Sequence, residues 1–339
     1  MRRSSLSRSF LLLAALLPFA AQTCRAADPP SPNQPAARDE LAFLLGKIRA
    51  AHDAVSSGEF LAAEVIERDT VEGEQQRVSN QLRGVFARVS GQTQRRHEFR
   101  RTRKTRAPLD QCLVVETDTV AALWTNSGPI VLLPGRHDLL WAEQCPIDPL
   151  ALGFDAPISS SISTGGPEMW PSFSEFEKWL AGHQAKGHVS VRRDPVGYIL
   201  SIEFPVPKAN GEPVDPEAVR EGVIVKLARR ITIDATLGFV PTSSVTSFYD
   251  KHGKELMRPA TLDVTWAKRG EVAVPVAVRT YIDQKNICEE RRTITFTWKS
   301  VNQPISKDEF DYTKFPAPAG TEIIDHHQRP GRVIGTIAK

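Results

Sequence analysis

Apolar and polar positions alternate with a period of two through the C-terminal third of this chain. Leu262, Val264 and Trp266 are separated by polar residues. So are Ile294, Phe296 and Trp298, with Thr293, Thr295 and Thr297 on the opposite parity, and Leu200, Ile202 and Phe204 further upstream. Such alternation places one face of each strand in a dry environment and the other in water. Gly238, Asp250-Lys251-His252-Gly253, Arg269-Gly270 and Asp283 to Asn286 punctuate the runs. The spacing predicts a meander of neighbouring antiparallel strands, with the six residues of the two aromatic runs on one buried face.

The N-terminal half opens with a different period. Leu41, Leu44, Leu45, Ile48 and His52 recur at three- and four-residue spacing and predict a helix over about Arg38–Val55, ended by Ser56-Ser57-Gly58. Strand patterns follow at Phe60–Asp69, Gln81–Ser90, Thr93–Arg106, Cys112–Thr117, Val120–Trp124 and Ile130–Leu133, joined by turn signals. In the middle, Asp138–Asp148 reads as a helix and Ser159 to Gly166 as a loop. Ser172-Phe173-Ser174-Glu175 is a capping box that opens a helix to about His183, with Phe173, Phe176, Trp179 and Leu180 on one face. Pro205 to Gly222 carries four Pro and two Gly and reads as loop. No linker divides two complete patterns. The expected class is α+β, mainly antiparallel β, with one large curved sheet covered by a few helices.

The first 26 residues change the picture of where the protein works. Arg2, Arg3 and Arg8 precede a nearly unbroken apolar run from Phe10 to Ala21, and Cys24-Arg25-Ala26 places small residues at −3 and −1 of a cleavage site. This is the layout of a secretory signal peptide, and the run is too short for the ~20 residues of a membrane helix. The mature chain is expected to begin near Ala27, in the periplasm or outside the cell, with a Pro-rich linker over 27–37. A lipidated Cys24 is the alternative, although Ala21-Gln22-Thr23 matches a lipobox poorly.

Cleavage also changes the charge. The chain has 43 Lys+Arg and 40 Asp+Glu; the leader takes four Arg and no acid, so 39 basic residues face 40 acidic ones. The pI of 8.7 is mostly a property of the leader, and a nucleic-acid partner is not expected. Removing Cys24 leaves Cys112, Cys145 and Cys288, of which at most one pair can bridge. Cys112 and Cys145 are the expected pair if a bridge exists, with Cys288 left as a buried thiol.

The sequence carries no hydrolase elbow, zincin motif, phosphate-binding loop, dinucleotide fingerprint or EF-hand loop. His183 and His188 are five apart, which suits a metal poorly, and His326-His327 on a strand would point to opposite faces. Neither a metal site nor a cofactor is expected. His97-Glu98 reads as part of an exposed cross-strand charge pair. Arg95 to Arg106 holds six Arg and one Lys. It is either a patch for phosphate or anionic lipid head groups or, as favoured, a solvated strand face balanced by Glu64, Glu67 and Asp69. Trp124, Trp141, Trp170, Trp179, Trp266 and Trp298 fit core packing, and apolar residues facing an open sheet equally fit an acyl-chain cavity.

One family comes into view in the last third. Ile231-Thr232-Ile233-Asp234 followed by Leu237-Gly238-Phe239-Val240-Pro241 resembles a step of LolA-like secreted bacterial proteins. Phe248-Tyr249-Asp250 with Gly253, the strand proline in Val274-Pro275, Trp298-Lys299-Ser300-Val301-Asn302, Ile305 to Phe310 and Gly320-Thr321-Glu322-Ile323-Ile324-Asp325 resemble the steps that follow. The likeness spans residues 38–326 in outline and is motif-like from about 229. It implies a half-barrel of antiparallel strands with helices on the concave side, over one domain from 38 to 339 with insertions near 137–185 and 205–222. It also implies a non-enzymatic carrier or binding protein for a lipid or lipoprotein acyl chain. From the alternation itself, Leu262, Val264, Trp266, Ile294, Phe296 and Trp298 are the expected ligand-binding face, and the expected partners are a lipid or lipidated protein and a membrane surface. A structural or interaction module of the cell envelope, with the same fold and a filled core, is the alternative.

Overall fold

The computed structural model describes residues 34–70, 75–89, 92–102, 110–117, 120–125, 128–133, 149–154, 173–206, 219–284, 288–327 and 330–338. The expected leader, the Asp138–Asp148 helix, the Ser159–Gly166 loop and Cys145 lie outside these residues. The Cys112–Cys145 expectation therefore lies outside them too.

Two α-helices are present among the described residues. Helix α1 spans Gln34–Asp53, with Pro35 in its first turn where a missing N–H is harmless, and α2 spans Phe173–Gln184. Leu41, Leu44 and Ile48 of α1 are buried, as the periodicity predicts. Six strands then follow α1: β1 (Ser57–Thr70), β2 (Gln75–Val89), β3 (Gln92–Thr102), β4 (Asp110–Glu116), β5 (Ala121–Thr125) and β6 (Ile130–Leu133). After α2 come β7 (Val189–Asp194), β8 (Gly197–Pro205), β9 (Lys226–Asp234), β10 (Val240–Tyr249), β11 (Ala260–Arg269), β12 (Val272–Gln284) and β13 (Cys288–Val301). The last two are β14 (Glu322–Asp325) and β15 (Arg332–Thr336).

All fifteen strands form one large curved sheet, in the order β15-β14-β6-β5-β4-β3-β2-β1-β13-β12-β11-β10-β9-β8-β7. The expected meander is real: β7 to β13 are antiparallel neighbours in chain order. So are β1 to β6. The two halves join where β1 pairs β13 from Gly58↔Val301 to Thr70↔Cys288. Strand β14 then returns to pair parallel with β6. These two long-range pairings make one sheet of two local meanders.

Both faces of the sheet are covered in places. On one, α1 and α2 pack over β7 to β9, burying Leu180, Leu200, Ile202, Ile231 and Ile233. On the other, the segment after β13 lies over β2 and β4 to β6, where Phe310 and Phe315 pack against Leu113, Val115 and Trp124. That segment is held by short 3-10 turns whose caps, Ser306 and Asp311, accept hydrogen bonds from the Asp308 and Thr313 amides.

Candidate ligand-binding face

The six residues read from the sequence come together. Leu262, Val264, Trp266, Ile294, Phe296 and Trp298 are all at most 8% exposed and belong to one apolar cluster, while Thr293, Thr295 and Thr297 are exposed on the opposite face. Two details fix the aromatic residues. The Trp266 indole N–H donates to the Pro241 carbonyl and that of Trp298 to the Pro275 carbonyl, each at 2.7 Å. Buried indoles find acceptors in this way, and here both acceptors are main-chain oxygens beside prolines. Phe60 of β1 sits between Phe296 and Trp298, with ring centroids 5.7 and 5.2 Å away. Its ring lies against Gly84 of β2, where an added Cβ would meet Phe60 Cζ at 2.2 Å. A glycine in mid-strand marks this close approach.

A strap of chain outside the sheet closes the cluster at one side. Residues 149–154 begin with a 3-10 turn, Pro149–Ala151, and bring Leu150 and Leu152 onto the apolar face. Gly153 has φ +94° and packs on Pro241, where a Cβ would come within 2.7 Å of the proline ring. The buried Arg229 guanidinium donates to the Gly153 carbonyl at 3.2 Å and to Ser244 Oγ at 3.0 Å, which tethers the strap to β9 and β10. Between strap, α1 and sheet lies a half-open cleft of about 260 Å³, open solvent included, lined by Ile48, His52, Leu150, Phe154, Pro241 and Trp266. The room it encloses is about 10 Å³, roughly that of one water molecule and far below the ~300–1,000 Å³ of ligand pockets. Among the described residues the six are covered by other side chains rather than open to solvent.

The apolar face continues into a buried polar end that the sequence reading did not assign. Glu64 is in phase with Phe60 and Ala62 on β1, and Glu290 and Arg292 are in phase with Ile294, Phe296 and Trp298 on β13. All three are therefore turned inward with the core. Asn80 Nδ2 donates to Glu64 Oε2 at 2.6 Å, and Arg292 Nε lies 3.5 Å from Glu64 Oε1. Arg292 Nη2 donates to Glu290 Oε1 at 2.5 Å, and Arg68 Nε donates to Glu290 Oε2 at 2.6 Å. Glu64, Asn80, Glu290 and Arg292 are 1–6% exposed. Charged residues on the apolar parity of a strand were the available signal.

The arginine-rich segment needs correcting. Arg95 and Arg96 are buried rather than solvated. Their balancing acids are Glu116 for Arg95, and Glu98 with Glu309 for Arg96. Glu64, Glu67 and Asp69 are on β1, and β3 pairs with β2 and β4 instead. His97 is corrected likewise: it is 1% exposed and meets the Phe60 ring edge-on, while Glu98 points to the other face. The remaining segment from 103 to 106 lies outside the described residues. Burial in the apolar cluster pushes the Cys112 thiol up to about 12.

No group of three or more metal-ligating side chains occurs among the described residues. His183 and His188 do approach, with ring centroids 6.1 Å apart. Burial, then the charges of Lys186 and His188, pulls His183 down to about 4 from its usual 6.5. A neutral native imidazole that charges on unfolding makes stability complete above pH 6.5 and lost progressively as pH falls from there to about 4. His183→Phe is expected to keep the packing on Trp179 and Phe204 and to flatten the decline in melting temperature over that window. A wild-type and variant decline of equal slope would show that His183 titrates normally.

No family model and no curated protein matches the chain. Among solved structures it is similar to a DUF1329 family protein from Desulfovibrio piger at 9% identity and a TM-score of 0.42, over 80% of this chain and 97% of that one. It is also similar to a putative outer membrane lipoprotein-sorting protein domain from Vibrio parahaemolyticus at 9% identity and a TM-score of 0.35, over 78% of this chain and 95% of that one. A further likeness is to a LolA superfamily protein from Nitrosomonas europaea, at 11% identity and a TM-score of 0.35, over 80% of this chain and 96% of that one.

Proposed function

We propose that this is an exported, non-enzymatic binding protein that takes an apolar chain, such as the acyl chain of a lipid or lipidated protein, on the inward face of β11 to β13. The observation that carries the reading is the cover of that face. Residues 149–154 and the end of α1 lie over part of an apolar surface, with a cleft already present beside Trp266. Moving Leu150 and Phe154 away opens the face to a ligand at Trp266. The driving force is the removal of apolar surface from water, about 25 cal/mol per Å². Because the strap must open first, the apparent affinity is reduced by the population of the open form.

The rival reading, a cell-envelope structural module, is favoured by one observation: the cleft is small and both indole N–H groups are satisfied within the protein. A titration separates the two. A fluorescent fatty acid added to the mature protein should bind saturably, and Leu152→Ala, which loosens the strap, should bind it several-fold more tightly. Absence of saturable binding by both proteins would leave the filled module as the function. Native mass spectrometry of the protein from the periplasm should show the bound lipid directly.

A further inference from the structure

Arg292 is 5% exposed, and its Nε and Nη1 have no hydrogen-bond partner; the same is true of Asn80 Oδ1, on a residue 3% exposed. Both side chains reach Glu64, from opposite sides of β1: Asn80 is its partner on β2, and Arg292 sits on β13 opposite the neighbouring Ile66. Buried polar atoms are nearly always paired, so a donor and an acceptor at the end of one apolar surface can together engage a group that both accepts and donates.

The charge balance restricts what can bind there. Among the described residues, Arg292 pairs with both Glu64 and Glu290, and Arg68 pairs with Glu290, two acids linked to two bases. A carboxylate or phosphate entering here would be an added buried anion beside two carboxylates, with its nearest guanidinium already paired. A group that accepts from Arg292 and donates to Asn80 adds no charge. The position fits an amphiphile. From Arg292 through Ile294 and Phe296 to Trp298 is six residues along one strand, about 20 Å at ~3.3 Å per residue, apolar after the first step.

Resting on the reading of the face as an apolar-chain site, we infer that Glu64, Asn80, Glu290 and Arg292 form the head-group subsite for an uncharged, hydroxyl-bearing amphiphile such as a monoacylglycerol. The hydroxyls accept from Arg292 Nη1 and donate to Asn80 Oδ1, and the chain lies toward Phe296 and Trp298.

The test displaces a fluorescent apolar probe from the mature protein with 1-monolauroylglycerol, laurate and methyl laurate, each below its micellar concentration. The wild type should prefer the monoacylglycerol over both others by about tenfold or more, one to two hydrogen bonds' worth. Arg292→Lys keeps the charge pairing but removes the fork, and Asn80→Ala removes the acceptor. Each should weaken the monoacylglycerol about tenfold and leave methyl laurate unchanged. Equal affinity of the three ligands, or a preference for the glycerol ester that survives in both variants, would overturn the subsite while the apolar-chain reading stands. Preference for laurate would overturn the uncharged assignment. If none of the three displaces the probe, the apolar-chain reading fails and the subsite with it.

Discussion

Trp266→Ala lowers the unfolding free energy by about 3–5 kcal/mol, the range for removing a large aromatic side chain from a packed interior. Three features set the size. The side chain is 8% exposed and packed into the largest apolar cluster. Its N–H holds the Pro241 carbonyl, whose loss leaves a buried acceptor open. The space left joins the existing cleft against Leu150 and Ile48, so the surroundings have little to collapse onto. Trp266→Phe keeps most of the packing and loses the hydrogen bond, with an expected cost of about 1–2 kcal/mol. Urea titrations of the three proteins measure both steps. A loss below 1 kcal/mol for the alanine variant would mean that this side of the sheet is open to solvent. The same variant enlarges the cleft, so an apolar probe should bind it more tightly than the wild type.

Glu64→Ala has an expected effect of similar size, for an electrostatic reason. The Glu64 side chain is fully enclosed, and Arg292 and Asn80 both direct a polar group at its carboxylate. Removing Glu64 leaves the buried Arg292 sharing Glu290 with Arg68, two guanidiniums on one carboxylate, and takes the acceptor from the Asn80 amide; breaking one side of such a buried network costs up to about 3–5 kcal/mol. Replacing both partners, Glu64→Leu with Arg292→Met, removes the excess buried guanidinium; Glu290 keeps Arg68. The double variant should therefore be more stable than Glu64→Ala alone, and a double-mutant cycle should show coupling well above 1 kcal/mol. Additive losses would mean that Glu64 and Arg292 do not act as a pair.

The local patterns were strongly legible in the sequence. Period-two alternation placed Leu262, Val264, Trp266, Ile294, Phe296 and Trp298 on one buried face and three threonines on the other, because a register slip of one residue would put every apolar side chain in water. The 3.6-residue period and the capping box placed α1 and α2 for the same reason: both signals lie within a few residues of chain. The meander of β7 to β13 followed from turn residues between strands that touch their chain neighbours.

What alternation does not encode is which distant strand lies alongside. The β1·β13 and β6·β14 pairings, separated by roughly two hundred residues, were decided by tertiary structure, as was the Arg96–Glu309 contact made by the segment after β13; the Arg95–Glu116 pair is local to β3 and β4. The polar end of the face was in the sequence as a parity, Glu64, Glu290 and Arg292 among apolar positions. Its meaning needed the sheet, because an inward charge is tolerable only when a partner stands on the next strand. The cover of the apolar face is likewise a three-dimensional fact. Leu150 and Leu152 lie outside any periodic run, and among the described residues Pro241 under Gly153 and the Arg229 hydrogen bond help to hold that strap near Trp266.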